Sequence, residues 1–130
     1  HGRQGHLEAY SGIDIHLDSF PYHGTTTSCE SLVMGVPVVT RMGDDHRSRV
    51  GASLLHSIGH QEWVASTPQE YVDIAVAMAR DEAALAAIRT GLRAEMQSSA
   101  LMDAKSFTAE LETAYRECWE VWCRQSAPLS

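Results

Sequence analysis

The spacing of apolar residues changes along the chain, and each change marks an element. Leu7 and Tyr10, three apart and followed by Gly12, read as the end of a helix over residues 3–11. Ile13, Ile15 and Leu17 then alternate with Asp14, His16 and Asp18, the two-residue period of a strand. A buried parallel strand would be apolar on both faces, so this one has a face at a cleft or an edge. Pro21 ends the strand, and Gly24 opens a loop. A short apolar helix follows from about Thr27 to Met34, with Gly35 as its left-handed stop and Pro37 preventing continuation. Val36, Val38 and Val39 form a compact buried strand. Gly43-Asp44-Asp45 is a turn in which either aspartate can cap the next helix. That helix carries Val50, Leu54, Leu55 and Ile58 on one face and stops at Gly59; Trp63-Val64-Ala65 is a third short strand.

The remainder is helical in period. Thr67-Pro68-Gln69-Glu70 is a capping box with proline at the first helical position. The helix it opens is expected to bury Tyr71, Ile74, Ala75 and Met78. Asp81-Glu82 begin another, with Leu85, Ile88, Leu92 and Met96 on one face and a weak point at Gly91 worth about 1 kcal/mol relative to alanine. A last helix from about Asp103 to Trp122 aligns Phe107, Leu111, Ala114, Cys118 and Trp122, and the tail from Arg124 is expected to be loose. Strands alternating with helices predict the α/β class with a parallel sheet. Three visible strands fall below the usual ~5–6 per sheet. With His1 rather than Met at the start, this predicts a piece of a longer polypeptide whose first strands lie upstream.

Composition narrows the partners. The 130 residues suit one domain of common size. A net charge of −7 and scattered arginines argue against nucleic acid, whose phosphates require a basic face. No run of about eighteen apolar residues predicts a membrane span, and no secretory signal is visible. Cys29, Cys118 and Cys123 are odd in number and lack framework spacing, which fits a reducing, cytoplasmic compartment. A Cys29 nucleophile beside a histidine base is conceivable, but a small Cys near a helix start is ordinarily core. The histidines are not spaced as metal ligands: His56 and His60 are four apart, with Gly59 breaking the helix between them.

The candidate chemistry lies in Gly24-Thr25-Thr26-Thr27-Ser28-Cys29-Glu30. Free N–H groups at a helix start, with hydroxyls beside them, suit a phosphate. A carboxylate one turn on, Glu30, can accept two hydrogen bonds from a ribose diol. Taken singly, these residues also fit a plain N-cap and a first-turn acid favoured by the helix dipole. Together with the following Gly-x-Pro break and buried strand they describe a pocket for a nucleotide diphosphate.

The block from Leu17-Asp18-Ser19-Phe20-Pro21-Tyr22 through Gly24-Thr25-Thr26-Thr27 and Glu30 to Gly35-Val36-Pro37-Val38-Val39-Thr40 closely resembles the catalytic region of the O-GlcNAc transferase family, including its SPINDLY branch. The resemblance continues through Arg49-Val50-Gly51-Ala52-Ser53-Leu54-Leu55 and Gln69-Glu70-Tyr71 to Glu112, Tyr115 and Trp119. It implies the C-terminal lobe of a GT-B glycosyltransferase of family 41, with a partial Rossmann-like parallel sheet and a helical C-terminal block. Residues 1–66 would be the second half of the nucleotide-sugar-binding lobe, and residues 67–130 helices packing on it.

The resemblance implies that Thr26 and Thr27 hold the donor diphosphate, with Thr25 beside them where animal members carry a histidine. It implies that Glu30 engages the ribose and that His6 lies at the base and ribose side, next to Ala9 where animal members have an arginine. Arg49 is expected to fix its loop against the lobe. The family's upstream lysine near the diphosphate is not found here, and its candidate general bases lie in the other lobe, so no catalytic residue is assigned. No metal or other cofactor is expected. The implied activity is inverting transfer of a sugar to Ser or Thr of acceptor proteins, which tetratricopeptide repeats usually capture. The donor is UDP-GlcNAc in animal members, GDP-fucose in the SPINDLY branch and UDP-glucose in some bacterial relatives. A non-catalytic nucleotide-binding or interaction module is the alternative from another class; a sugar-nucleotide epimerase is disfavoured by the Phe-Pro-Tyr-x-Gly-Thr-Thr-Thr run. The 130-residue chain alone is expected to be catalytically inert and to self-associate through an open sheet edge.

Overall fold

The structure, a computed structural model, describes residues 3–126. Helix α1 (Arg3–Glu8) and a 3₁₀ turn (Ala9–Gly12) lead into β1 (His16–Leu17). Then come α2 (Thr26–Val33), β2 (Val38–Arg41), a 3₁₀ turn (His46–Ser48), α3 (Val50–Ile58) and β3 (Val64–Ala65). Three helices close the chain: α4 (Pro68–Arg80), α5 (Glu82–Ser98) and α6 (Ala104–Ser126). The strands form one parallel sheet in the order β1-β2-β3, with His16 opposite Val38 and Thr40 opposite Val64. The expected α/β class and partial parallel sheet are therefore present.

Local chemistry accounts for most boundaries. Gly35 takes φ +76° after α2, and its Cα sits so close to the Arg89 carbonyl that a Cβ there would lie 2.7 Å from the oxygen. Gly59 at φ +87° caps α3. Thr67 accepts from Glu70 N–H, while the Glu70 carboxylate reaches back to Ser66 N–H at 2.6 Å, a capping box displaced by one residue. Asp81 caps α5 by accepting from Ala84 N–H.

The core lies where α2, α3 and α5 meet β2, around Leu32, Val38, Leu55, Trp63, Leu92 and Met96. Helix α4 presents the expected face toward β2, β3 and α5, but Tyr71, Ile74, Ala75 and Met78 are half-buried rather than buried. Ile13 and Leu17 are exposed, and only His16–Leu17 of the expected strand pairs with β2.

Helix α6 departs from the expected packing. Residues 104–125 are exposed throughout, including Phe107, Leu111 and Cys118 of the predicted stripe, and Trp119 stacks on Trp122 at 5.1 Å. Its main contact with the rest of the described chain is at the 3₁₀ turn Ala100–Met102. Periodicity defines an apolar face; it does not supply the surface that would cover it. The helix also runs through Arg124, where a loose tail was expected; residues 127–130 lie outside the described part. Among the described residues no helix is long and apolar enough to cross a membrane.

Candidate functional site

The loop between β1 and α2 leaves the carboxyl end of a parallel strand, where open α/β sheets place their ligands. A buried polar clamp holds it. The Asp18 carboxylate accepts from Gly24 N–H and from the Thr40 hydroxyl, both at 2.8 Å. His23, also buried, donates from Nε2 to the Arg41 carbonyl and accepts at Nδ1 from Gly51 N–H, each at 3.0 Å. An amide can only donate and a carbonyl only accept, so the imidazole carries its proton on Nε2. Asp18 Oδ2, 3.5 Å from Nδ1, therefore faces a lone pair and makes no ion pair with it. Tyr71 completes the clamp by donating to the Asp18 carbonyl at 2.9 Å; burial, with Asp18 nearby, pushes its phenol pKa up and keeps the proton on. The loop is thus tied to β2, α3 and α4 at once. Sequence reasoning missed Asp18, His23 and Thr40 as a set, since no spacing pattern links residues brought together only by the sheet.

Held this way, Thr25, Thr26 and Thr27 stand exposed at the start of α2. Among the described residues no side chain caps that helix, in contrast to α4 and α5. The N–H groups of its first turn are left to whatever approaches from solvent, with the positive end of the helix dipole behind them. The approach is tight at Gly24, where a Cβ would meet Thr27 Oγ1 at 2.5 Å and Ser28 Oγ at 2.6 Å. Ser28 Oγ is buried at the same helix start and has no hydrogen-bond partner among the described residues.

One turn on, the half-buried Glu30 carboxylate lies 3.0 Å from Nε2 of His6, which projects from α1 and packs edge-on against Tyr10. The Tyr10 hydroxyl donates to the Thr27 carbonyl at 3.4 Å. His6, Tyr10 and Thr27 line one side of a cleft of about 430 Å³ whose other walls are Ile13, Ile15, His16 and Leu17. The five residues singled out from sequence therefore gather at one end of α2: Thr25, Thr26 and Thr27 on its first turn, Glu30 behind them, His6 across the cleft.

Other candidates separate from this cluster. Arg49 is exposed, and its side chain makes no hydrogen bond or ion pair among the described residues. Its loop is fixed instead by Asp45, which accepts from the Ser48 N–H and hydroxyl and is held below the usual carboxylate range chiefly by the Ser48 bond. Cys29 is half-buried against the core; burial and then the Glu30 charge push its thiol up, the opposite of an activated nucleophile. His60 stacks on Trp63 at 3.7 Å and joins Glu62 to Glu95, a structural tie between the turn that precedes β3 and α5.

A parallel sheet with an uncapped, hydroxyl-flanked helix start at the carboxyl end of a strand is an α/β arrangement suited to receive an anion. The chain matches the family model described as "Glycosyl transferase family 41" over residues 1–111, and it belongs to that family. It is 48% identical over 128 residues to a barley protein named "Probable UDP-N-acetylglucosamine--peptide N-acetylglucosaminyltransferase SPINDLY", covering 98% of this chain and 14% of the relative. It is 36% identical over 120 residues to the Caenorhabditis elegans UDP-N-acetylglucosamine--peptide N-acetylglucosaminyltransferase, covering 92% of this chain and 10% of that protein. Among solved structures, the K341M mutant of the Thermobaculum terrenum O-GlcNAc transferase superposes with a TM-score of 0.88 at 47% identity, over 98% of this chain and 24% of the other. The chain thus spans about a tenth to a seventh of the curated relatives' length.

Proposed function

We propose that this chain is the donor-binding part of a protein O-glycosyltransferase, one that moves a sugar from a nucleoside diphosphate to Ser or Thr hydroxyls of acceptor proteins. The uncapped start of α2 carries the reading: three exposed threonine hydroxyls and free N–H groups, with a carboxylate one turn behind. The activity for which its relatives are named supports it. In this reading Thr25, Thr26, Thr27 and the first-turn N–H groups hold the diphosphate. Glu30, oriented by His6, accepts from the ribose diol.

Breaking the glycosidic bond builds negative charge on the departing diphosphate. Donors already fixed at the place where that charge grows lower the barrier without reorganising. The Asp18–His23 clamp provides that fixity. In this reading helices α4, α5 and α6 belong to the helical block of the lobe. Three free cysteines fit a reducing, cytoplasmic setting.

Thermal unfolding with added nucleotide tests this reading. A ligand at a hundred times its Kd stabilises by about 2.7 kcal/mol, so UDP or GDP is expected to raise Tm by several degrees. Comparing UDP-GlcNAc with GDP-fucose then separates the two donor classes. No rise with either diphosphate would refute the proposal.

A further inference from the structure

We propose that the cleft between α3 and β3 takes an acidic side chain of the acceptor polypeptide, with Arg49, Ser53 and His56 as its donors. The proposal rests on the glycosyltransferase reading above and gives a role to Arg49, which the donor site leaves unused.

The cleft, of about 570 Å³, opens beside Met42 and Ser66, the residues that follow β2 and β3. Arg49, Ser53 and His56 all line it, and their spacing puts them along one side of α3 from its leading residue onward. The Arg49 guanidinium and the Ser53 hydroxyl make no hydrogen bond among the described residues. Gln61 donates its amide N–H to His56 Nδ1 at 3.0 Å. An amide nitrogen can only donate, so the imidazole proton sits on Nε2, which has no partner among the described residues. Three side-chain donors on one cleft therefore meet no internal acceptor.

Charge sets the sign of the ligand. The chain has 17 acidic residues and a net charge of −7, yet no Asp or Glu lines this cleft. The Glu70 carboxylate, which reaches Ser66 from α4, is committed to the Ser66 N–H at 2.6 Å. The other two arginines nearby are also occupied, Arg47 by Asp45 and Arg41 by the Phe20 ring. A carboxylate matches the two-pronged guanidinium of Arg49 and accepts from Ser53 and His56 as well. Met42, Ala52 and Val64 give the cleft an apolar wall, which suits the methylenes of an acidic side chain better than a bare ion.

Position assigns that side chain to the acceptor. The Arg47 carbonyl accepts from His23 N–H at 2.9 Å, so the loop ending at Arg49 is bonded to the loop that presents Thr25, Thr26 and Thr27. Both loops leave the carboxyl ends of neighbouring parallel strands. A polypeptide that brings a hydroxyl to a donor held at α2 lies across this edge. Strand β3 stands at the opposite end of the sheet from β1, so strands added beyond β1 do not fill the cleft.

Titration of the chain with a short peptide carrying one Glu among Ser and Val residues, and with its Gln counterpart, tests the proposal by nitrogen–proton NMR. The amides of Ser53 and His56 should move, and the Glu peptide should bind roughly tenfold more tightly than the Gln peptide. The negative chain repels the Glu peptide at long range, so a preference for it reports the cleft itself. Arg49→Gln should bring the two peptides within about threefold, while Arg49→Lys, which keeps the charge but not the fork, should retain part of the preference. Inorganic phosphate, with no apolar flank, should bind more weakly than the Glu peptide. Equal binding of the two peptides, a preference that survives Arg49→Gln in a folded protein, or phosphate binding as tightly as the Glu peptide would each overturn the assignment. UDP and GDP added to the same samples test the donor site separately, and Arg49→Gln should leave their binding unchanged. Failure of the peptides while a diphosphate binds would overturn this proposal alone; failure of both diphosphates would overturn the glycosyltransferase reading and the acceptor role with it.

Discussion

Gly51→Ala is expected to cost roughly 3–5 kcal/mol, a large share of the ~5–15 kcal/mol that holds a domain of this kind folded. In an open helix the same change would gain about 1 kcal/mol from propensity. At Gly51 an added Cβ would lie 2.5 Å from both Asp18 Oδ2 and Thr40 Oγ1, and 3.0 Å from Thr40 Cβ. Thr40 is wholly buried and Asp18 nearly so, so neither partner can swing away. Relief would break the Thr40–Asp18 bond or pull α3 from β2, and with it the Gly51–His23 bond that steadies the loop.

Gly91→Ala is the control. Among the described residues a Cβ there meets the far end of the Glu95 side chain, Oε1 at 3.1 Å and Cδ at 3.9 Å, which can swing away, so propensity should prevail and stability rise. Urea unfolding of both variants checks the pair. A Gly51→Ala midpoint at or above that of the parent would show that the clamp is not rigid.

The second large effect is on binding with folding spared. Thr26→Val with Thr27→Val removes two hydroxyls and keeps their shape. Both residues are exposed and neither side chain caps α2, so stability should move by no more than about 0.5 kcal/mol. If each hydroxyl donates to a charged oxygen, each is worth about 1.5–3 kcal/mol, and the double variant should lose at least about a hundredfold in affinity for UDP or GDP. Calorimetry measures the loss, and urea midpoints measure what is spared. Unchanged affinity would place the diphosphate elsewhere.

How much of this was legible from the sequence differs by residue. Thr25, Thr26, Thr27 and Glu30 lie within six consecutive positions at one helix start, so a local pattern exposed them. The ends of α2 and α4 were legible because Gly35, Pro37 and the Thr67 box act within a few residues of themselves. Asp18, His23 and Thr40 were not, because their bonds run between distant segments, Asp18 to Gly24 and Thr40, and His23 to Arg41 and Gly51, and only tertiary packing makes a buried carboxylate out of a residue that reads as polar and strand-adjacent. The His6–Glu30 bond spans 24 positions and became visible as a contact only once α1 lay beside α2. Helix α6 shows the converse: its apolar stripe was read correctly, yet burial depends on a facing surface that periodicity does not encode.

The backbone amides of Thr26, Thr27 and Ser28 provide the most direct test, followed by nitrogen–proton NMR as UDP or GDP is titrated in. If this helix start grips the diphosphate, those three resonances move furthest, with Glu30 and His6 next, and inorganic pyrophosphate reproduces the shifts at the threonines but not those at His6. Large shifts confined to other parts of the chain, with these amides unmoved, would contradict the account.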